Sequence, residues 1–470
     1  MVKKYGLWTS IAMIVGIVIG SGIFFKADKI LLATGGNVTI AVIALVVSAI
    51  SIIFGSLTIS RLAVLTDRSG GAIAYYEQFY SKPIGAGFGW FQTFMYFPIL
   101  VSVIGYVVGV YICILVGVED FGYQVLVGLA VMVLLYAINI MFPKFSGGVQ
   151  VTCMIAKLIP LALIAGFGLI VGEFSFATPS EEFIASLPKS SSTNSVFLSA
   201  LLPIVFSYDG WIVATSISRE IKNEKRNLPL AMIIAPIIVL AIYVMYFLGL
   251  VKMVGIEHIL THSGDYLYYA SEKIFGENGK IVILLFVVVS VIGTLNGLIL
   301  GHIRLPQSLQ EKGLLAGDRY QKVSKTIGEN VNAGVMALLI SLVWVVVNYV
   351  VMKLEWLPGH DISELVIVSQ YLLFILLYVK VFLLFRKRVV KGVLYGVICP
   401  LLAIVGAGLI FVCGFVTWQI FLVGLAIVAV VFTSGALLTY YRMKNGKLKE
   451  YHSELNKEEI SEEVLDNMNE

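Results

Sequence analysis

Charged residues are scarce in this chain. Only 13% of its 470 residues are Asp, Glu, Lys or Arg, which is about half the share found in a typical soluble domain. This scarcity excludes an ordinary water-soluble protein. The formal net charge is only +4, so we expect no broad basic surface of the kind that binds nucleic acid.

Side chains that hold metals or perform covalent chemistry are also few. The five histidines occur singly, at no metal-ligand spacing. The sequence contains no phosphate-binding loop and no nucleophile–base pattern. We therefore expect no enzyme, no metal and no cofactor. The four cysteines lie in apolar runs, where small core residues are expected rather than disulfides or metal ligands: Cys113, Cys153, Cys399 and Cys413.

Apolar residues, in contrast, are abundant and continuous. They make up 59% of the chain, and the mean hydropathy is +0.93. Runs of about 20 apolar residues are long enough to cross a bilayer as helices. The sequence therefore predicts an all-α polytopic membrane protein with twelve transmembrane helices. The predicted spans are 6–32, 37–60, 84–117, 122–142, 147–172, 195–217, 229–253, 279–303, 331–351, 362–385, 392–414 and 416–441.

Basic residues orient these spans. Lys and Arg are enriched in loops on the cytoplasmic side of a membrane. With twelve spans, the basic loops 219–226, 304–325 and 386–391 lie on the same side of the membrane as both termini. The connections on the opposite side, such as 118–120, have few basic residues. We therefore expect both termini in the cytoplasm. Residues 444–470 form a predicted polar cytoplasmic tail.

Two of the spans contain residues that do not suit a continuous membrane helix. Span 1 reads GIVIGSGIF over residues 16–24, and its Gly16-x-x-x-Gly20 spacing by itself favours a helix-packing face. Span 6 reads PIVFSYDGWIVATS from Pro203, with an Asp-Gly turn signal at its centre. Two interrupted helices five spans apart indicate a transporter built from inverted repeats.

The backbone groups freed by such interruptions suit a zwitterionic solute. Unpaired N–H and C=O groups cost several kcal/mol each in lipid. A carboxylate can accept from the N–H groups of one half-helix, and an ammonium can donate to the carbonyls of the other. The predicted contacts are the amides of Ser21, Gly22 and Ile23, and the carbonyls near Ile17, Val18, Phe206 and Ser207. Asp209 is a further candidate, either as an acceptor or as the cap of a second half-helix.

Three motifs carry a family resemblance: GIVIGSGIF in span 1, SGGAIAYYEQFY over 69–80, and FSYDGW over 206–211. The chain resembles the amino acid–polyamine–organocation superfamily, and within it the bacterial relatives of the L-type amino acid exchangers. The resemblance implies a LeuT-like fold of two inverted five-helix repeats, here 1–172 and 195–386, followed by spans 11 and 12 in 391–443. It also implies an amino acid bound between the interruptions, with Phe206 as an aromatic gate.

A lysine lies near the middle of span 5. Lys157 is about ten residues, or roughly 15 Å, from the span's cytoplasmic end. Such a cation needs a partner in the bundle interior, and a purely structural bridge between helices is one reading. The resemblance implies that the amine takes the place of a sodium ion held by sodium-coupled relatives, and joins Gly16 to Ser290 or Thr294. Tyr243 and Tyr246 in span 7 are further candidate partners.

Together with these residues, the resemblance implies a sodium-independent exchanger of neutral, small L-amino acids such as Ala, Ser, Thr and Cys, working by alternating access in the plasma membrane. A proton-coupled symporter on the same fold is the alternative, with Lys157 or Asp209 carrying the proton. A membrane amino-acid sensor is a third reading, disfavoured because the sequence carries no appended signalling domain. The expected partners are the small-molecule substrate and the lipid bilayer. Neither nucleic acid nor an accessory subunit is indicated.

Overall fold

The computed structural model describes residues 6–20, 22–66, 71–187, 196–212, 221–262, 265–279, 281–315, 331–357 and 360–446. These residues form helices joined by short connections, which confirms the predicted all-α fold. The first half contains α1 (Leu7–Val18), α2 (Gly22–Phe25), α3 (Ala27–Ala33), α4 (Val38–Leu65), α5 (Gly71–Phe79), α6 (Lys82–Phe91), α7 (Phe97–Val116), α8 (Phe121–Met141), α9 (Pro143–Val171) and α10 (Glu181–Ser186).

The second half continues the same pattern. It contains α11 (Val196–Tyr208), α12 (Glu224–Val254), α13 (Ile256–Thr261), α14 (Tyr266–Phe275), α15 (Val282–Glu311), α16 (Val331–Lys353), α17 (Ile362–Arg386), α18 (Cys399–Cys413) and α19 (Trp418–Lys444). Most of the tail predicted after residue 444 lies outside the described residues.

Within the described ranges, nine helices are long and apolar enough to cross a membrane. Three shorter apolar stretches, Leu7–Gly16, Ala156–Val171 and Phe197–Tyr208, lie in predicted spans 1, 5 and 6. Every predicted span therefore coincides with an apolar helix, and the protein is a multi-pass membrane protein. The short stretches fall below the ~20 residues that a crossing needs, so the total of twelve crossings stays a prediction.

Polar side chains fix where several helices begin. The side chains of Asn37 and Asp120 accept hydrogen bonds from the first turns of α4 and α8 at 3.0 and 2.9 Å, and Asp361 caps α17 in the same way. Each cap satisfies an N–H group that has no partner within its helix. Gly117 ends α7 with φ of 71°, a left-handed conformation that favours glycine. These residues set where the four helices begin or end.

Span 3 is not a regular α-helix. Between α6 and α7, residues Gln92–Tyr96 form a π-helical turn. Such a turn inserts one residue into the helix and occurs often at functional sites. Gln92 and Tyr96 are both buried, so the turn directs two polar side chains into the bundle.

Span 7 lies at the centre of the packing. Helix α12 packs against α1, α4 and α9. Its crossing with α9 is very close, because a Cβ added at Gly168 would lie 2.1 Å from the Gly249 carbonyl oxygen. Only small residues allow helices to approach at this distance. Helix α12 can therefore present side chains directly to the interruption in span 1.

Candidate functional site

Span 1 is interrupted, as the sequence predicts. Helix α1 ends at Val18, Ile19 is extended with ψ of 92°, and helix resumes with α2 at Gly22. Gly22 and Ile23 lie in the first turn of α2, where N–H groups lack partners within the helix. Ser21, the third predicted donor, and the side chain of Ile17 lie outside the described residues.

Span 6 is interrupted at the predicted place as well. Helix α11 ends at Tyr208, and Gly210 adopts φ of 99° in the turn that follows, a conformation that favours glycine. The Asp209 carboxylate accepts a hydrogen bond from the hydroxyl of Tyr96. Residues 213–220 lie outside the described residues, so the second half-helix that Asp209 was predicted to cap stays a prediction.

The two interruptions are in direct contact. A Cβ added at Gly22 would lie 2.8 Å from the Cα of Ser207 and 2.9 Å from a ring carbon of Phe206. Such distances are shorter than any normal carbon–carbon contact. Glycine is therefore required at position 22 in this conformation, and Gly22, Phe206 and Ser207 share one location.

A tyrosine from span 7 joins the two interruptions. The hydroxyl of Tyr243 lies 2.7 Å from the Ser207 carbonyl oxygen and 3.1 Å from the Val18 carbonyl oxygen. These are two of the carbonyls predicted to receive a substrate ammonium. The sequence suggests Tyr243 as a partner of Lys157, and the structure gives it this different role, because α12 faces the gap between α1 and α2.

Lys157 contacts the inner half of span 1. Its side chain is 1% exposed, and Nζ donates to the Gly16 carbonyl at 2.7 Å. The predicted hydroxyl partners are arranged differently. Thr294 donates to the carbonyl of Ser290 one turn earlier at 3.1 Å, and the Ser290 hydroxyl has no hydrogen-bond partner among the described residues. Helical Thr side chains commonly bond to their own backbone in this way.

Thr294 is nevertheless close to the interruption in span 1. Its methyl carbon would lie 3.3 Å from a Cβ added at Gly20. The structure therefore brings Gly16, Gly20, Lys157 and Thr294 together at the inner side of the gap.

An ion-pair cluster that the sequence did not predict lies at the outer side. Lys26, between α2 and α3, places Nζ 2.7 Å from Asp361 Oδ2 and 2.7 Å from Glu364 Oε1. The same ammonium lies 4.8 Å from the ring centroid of Phe206. A signal was present, because Lys26 falls inside a predicted span, where a cation needs an opposite charge. The acidic start of span 10 is on the same side of the membrane.

Similarity to a known protein family covers nearly the whole chain. The model of the amino acid permease family matches residues 5–443. This chain belongs to the amino acid permease family. It is therefore an amino acid transporter of the amino acid–polyamine–organocation superfamily with a LeuT-like polytopic fold, and its family comprises transporters rather than enzymes.

Individual relatives of this permease are exchangers and transporters by name. It is 29% identical to the serine/threonine exchanger SteT of Bacillus subtilis over 86% of this chain and 89% of that protein. It is 25% identical to the human b(0,+)-type amino acid transporter 1 over 63% of this chain and 60% of that protein. It is 27% identical to the mouse large neutral amino acids transporter small subunit 2 over 64% and 57%, respectively.

The Asp361 carboxyl of the outer cluster stays ionised near neutral pH. Burial raises the pKa of the Asp361 carboxyl, but the ammonium groups of Lys26 and Lys29 outweigh burial and hold this pKa well below its usual range. Lys29 Nζ lies 3.8 Å from Asp361, and the Ser363 hydroxyl also donates to this carboxylate. The outer end of span 10 is thus attached to span 1 by charge.

Away from this cluster, hydrogen bonds between polar side chains of the permease connect spans 3, 6 and 10. The π-helical turn directs Tyr96 to Asp209 and places Gln92 Nε2 2.6 Å from Gln370 Oε1. The indole N–H of Trp211 lies 3.3 Å from the hydroxyl of Tyr371. The interruption in span 6 is therefore linked to two other spans through hydrogen bonds.

Proposed function

We propose that this permease is a sodium-independent exchanger of small neutral L-amino acids that works by alternating access. One observation carries the proposal: two interrupted helices meet at Gly22 and Ser207, and the carbonyls of Val18 and Ser207 converge on one hydroxyl, that of Tyr243. A substrate ammonium at that point would donate to the same carbonyls. The substrate carboxylate would accept from the amides of Ser21, Gly22 and Ile23.

Substrate entry requires the two interruptions to separate. Gly22 packs against Ser207 and Phe206 with no room for a Cβ, so this conformation is closed around the proposed site. Phe206 is the gate, and Lys26 holds its ring from the outer side. Opening outward then requires the Lys26 cluster to part from Asp361 and Glu364.

The inner half of span 1 supports sodium independence. The Lys157 ammonium donates to the Gly16 carbonyl at 2.7 Å, and a fixed cation there repels a sodium ion. Ser290 and Thr294 on span 8 flank the same region, and we include them as coupling residues. Lys157 then stabilises the position of α1 without contacting substrate.

The substrate class rests on similarity in sequence. The serine/threonine exchanger of Bacillus subtilis aligns along 89% of its length, whereas the mouse transporter named for large neutral amino acids aligns along 57%. Small neutral substrates such as Ala, Ser, Thr and Cys are accordingly proposed first. We also propose a plasma-membrane location, cytoplasmic termini, and inverted repeats at 1–172 and 195–386, with spans 11 and 12 following.

Purified protein in liposomes tests the proposal. Uptake of labelled serine should require an amino acid inside the vesicles, should not change when sodium is replaced by choline, and should ignore an imposed pH gradient. A competition panel of the common amino acids then defines the substrate class. Uptake into vesicles without internal amino acid would contradict exchange, and loss of uptake in choline would contradict sodium independence.

A proton-coupled symporter is a second candidate, and the Tyr96–Asp209 hydrogen bond favours it. Asp209 is a carboxyl group at the interruption in span 6, from which a proton could move with substrate. In this case, an external pH lower than the internal pH should drive serine uptake into vesicles without internal amino acid. Asp209→Asn should abolish this pH-driven uptake. Exchange by the Asp209→Asn protein at the wild-type rate would exclude this role.

A further inference from the structure

Arg61 occupies an unusual position in span 2. It lies four residues before the end of α4, about 6 Å along the helix axis from its end. Its guanidinium carbon lies 3.6 Å from the ring centroid of Tyr395. Tyr395 belongs to the π-helical turn Leu394–Ile398 that begins span 11. The guanidinium therefore lies between spans 2 and 11 at the membrane border.

This guanidinium has no acidic partner among the residues that the structure describes. Its Nε is buried and lacks a hydrogen-bond partner. Helix α4 contains no Asp or Glu, and neither does any position from 365 to 449. A guanidinium stays charged in proteins, and a partly buried charge without a counter-ion is unfavourable. None of the residues that the structure describes supplies an anion to this guanidinium.

Further cations lie in the loop that leads to Tyr395. Arg386, Lys387, Arg388 and Lys391 are all exposed, and the first three make no ion pair within the described ranges. Arg388 has φ of 63°, a strained conformation for a residue other than glycine. The loop 386–391 ends four residues before Tyr395, whose ring lies against the guanidinium, and we call this loop and Arg61 together the Arg61 site.

We propose that the Arg61 site binds the phosphate group of an anionic phospholipid in the adjoining leaflet. The planar guanidinium suits a phosphate because it can donate two parallel hydrogen bonds, while Tyr395 covers one of its faces. Space for the acyl chains is provided by an exposed apolar surface that continues from the site along span 11. Its residues are Val393, Leu394, Ile398, Leu401, Leu402 and Val405.

The position of the site favours a lipid over a free anion. The cations lie at helix ends, where headgroup phosphates are found, and the apolar surface begins directly beside them. On the orientation proposed above, this leaflet is the cytoplasmic one. The Arg61 site is separate from the interruptions in spans 1 and 6, so the proposal does not depend on which amino acid is carried.

Lipid titration of the detergent-purified protein tests the proposal. Phosphatidylglycerol should raise the melting temperature and remain bound in native mass spectra, whereas phosphatidylcholine should not. Arg61→Gln should weaken phosphatidylglycerol binding at least about tenfold, since it removes the bidentate donor. Tyr395→Phe keeps the ring and should bind normally. Lys353→Gln is the matched control, because Lys353 also lies near a tyrosine ring, that of Tyr349, at the opposite border.

Three results would overturn the proposal. Arg61→Gln could bind phosphatidylglycerol as the wild type does. Lys353→Gln could lose as much binding, which would indicate general charge attraction. Inorganic phosphate could stabilise the protein as well as the lipid does at equal concentration, which would indicate a free-anion site. If Arg61→Gln does not fold, neutralising Arg386, Lys387 and Arg388 together provides the test: reduced binding supports the proposal and unchanged binding contradicts it.

Discussion

Two buried lysines hold the two halves of interrupted span 1, and they do so differently. Lys26 attaches the outer half to span 10 through two carboxylates, each at 2.7 Å. Lys157 attaches the inner half to span 5 through one carbonyl, also at 2.7 Å. Their exposures are 0% and 1%, so burial does not distinguish them. The difference lies in the partner, which is charged at the outer end and neutral at the inner end.

The partner determines what removal of each lysine costs. Removing one member of a buried ion pair leaves uncompensated charge and costs ~3–5 kcal/mol. Leaving a buried carbonyl without its donor costs ~1–3 kcal/mol. We therefore expect the ion pairs of Lys26 to hold the outer side closed firmly. We expect the hydrogen bond of Lys157 to break and re-form more easily during the transport cycle.

The largest expected effect is that of Lys26→Gln. It should lower the free energy of unfolding by ~3–5 kcal/mol, because Asp361 and Glu364 remain buried without their cation, and transport should be lost. Thermal unfolding and serine exchange measure the two effects. Lys29→Gln is the control: it removes the same charge from a position 29% exposed, and should cost no more than ~1 kcal/mol.

If the Lys26 and Lys29 variants lose equal amounts of unfolding free energy, the buried ion pairs of Lys26 are not what stabilises the outer half of span 1. A variant that also carries Asp361→Asn and Glu364→Gln should recover most of the stability, because all three groups are then neutral. It should not recover normal gating.

The Tyr243→Phe substitution should come next in effect. The carbonyls of Val18 and Ser207 lose their shared donor, so the substrate-free protein should lose ~1–3 kcal/mol. Saturating substrate should then raise the melting temperature more than it does in the wild type, since the ammonium restores donors. Tyr246→Phe is a matched control, because its hydroxyl has no hydrogen-bond partner in the described part of the chain. An unchanged substrate-induced shift would argue against an ammonium at these carbonyls.

The Lys157→Ala substitution should slow exchange by roughly tenfold while changing apparent substrate affinity little, because one lost hydrogen bond to Gly16 corresponds to about 1.4 kcal/mol. The amine positions α1 and does not touch substrate in the proposed mechanism. Maximal exchange rate and KM in liposomes separate the two effects. Lys157→Arg, which keeps a donor, should retain more activity. A loss seen only in KM would place Lys157 in the substrate site instead.

The smallest expected effect is that of pH on the outer cluster. Burial raises the pKa of Asp361, but Lys26 and Lys29 lower it further, to below its usual range. Its stabilisation is therefore complete above the ordinary Asp value of ~3.9 and is lost only as the pH falls below that value. The melting-temperature difference between the protein and Asp361→Asn should stay constant between about pH 5 and about pH 8.

His360 Nδ1 lies 2.6 Å from Glu364 Oε2, so both proteins in this pH comparison should carry His360→Gln to remove this contact. A difference that declines steadily across this range would mean that Asp361 is not held ionised by the lysines.

Hydropathy and motif spacing were sufficient to predict the helical fold and the interruptions in spans 1 and 6. Long apolar runs predict membrane-spanning helices directly. Glycine, serine or an Asp-Gly pair within such a run predicts an interruption of the helix. Helix ends were less accurate: α4 extends to Leu65 and α15 to Glu311, beyond the predicted limits of 60 and 303. Amphipathic turns continue a helix past the membrane border, and hydropathy does not detect them.

Contacts between distant segments could not be predicted in the same way. Lys26 and Asp361 are 335 residues apart, and their pairing depends on how span 10 lies against span 1. The π-helical turn that directs Tyr96 to Asp209 changes side-chain direction without a clear sequence signal. Ser290 or Thr294 was predicted to meet Lys157, but the hydroxyl of Thr294 bonds to the backbone of its own helix α15 instead, an arrangement that the motif does not reveal.

The Tyr243 hydroxyl has one proton to give, and two carbonyl oxygens face it. Whichever of Val18 and Ser207 receives that proton, the other is left with a weaker partner at the midplane, where water is scarce. A substrate ammonium has three N–H donors, enough to satisfy both carbonyls. In the proposed mechanism, the empty carrier therefore has too few hydrogen-bond donors at the point where it changes conformation, and the loaded carrier does not. Such an imbalance would slow the return of the empty form and favour one-for-one exchange over net uptake.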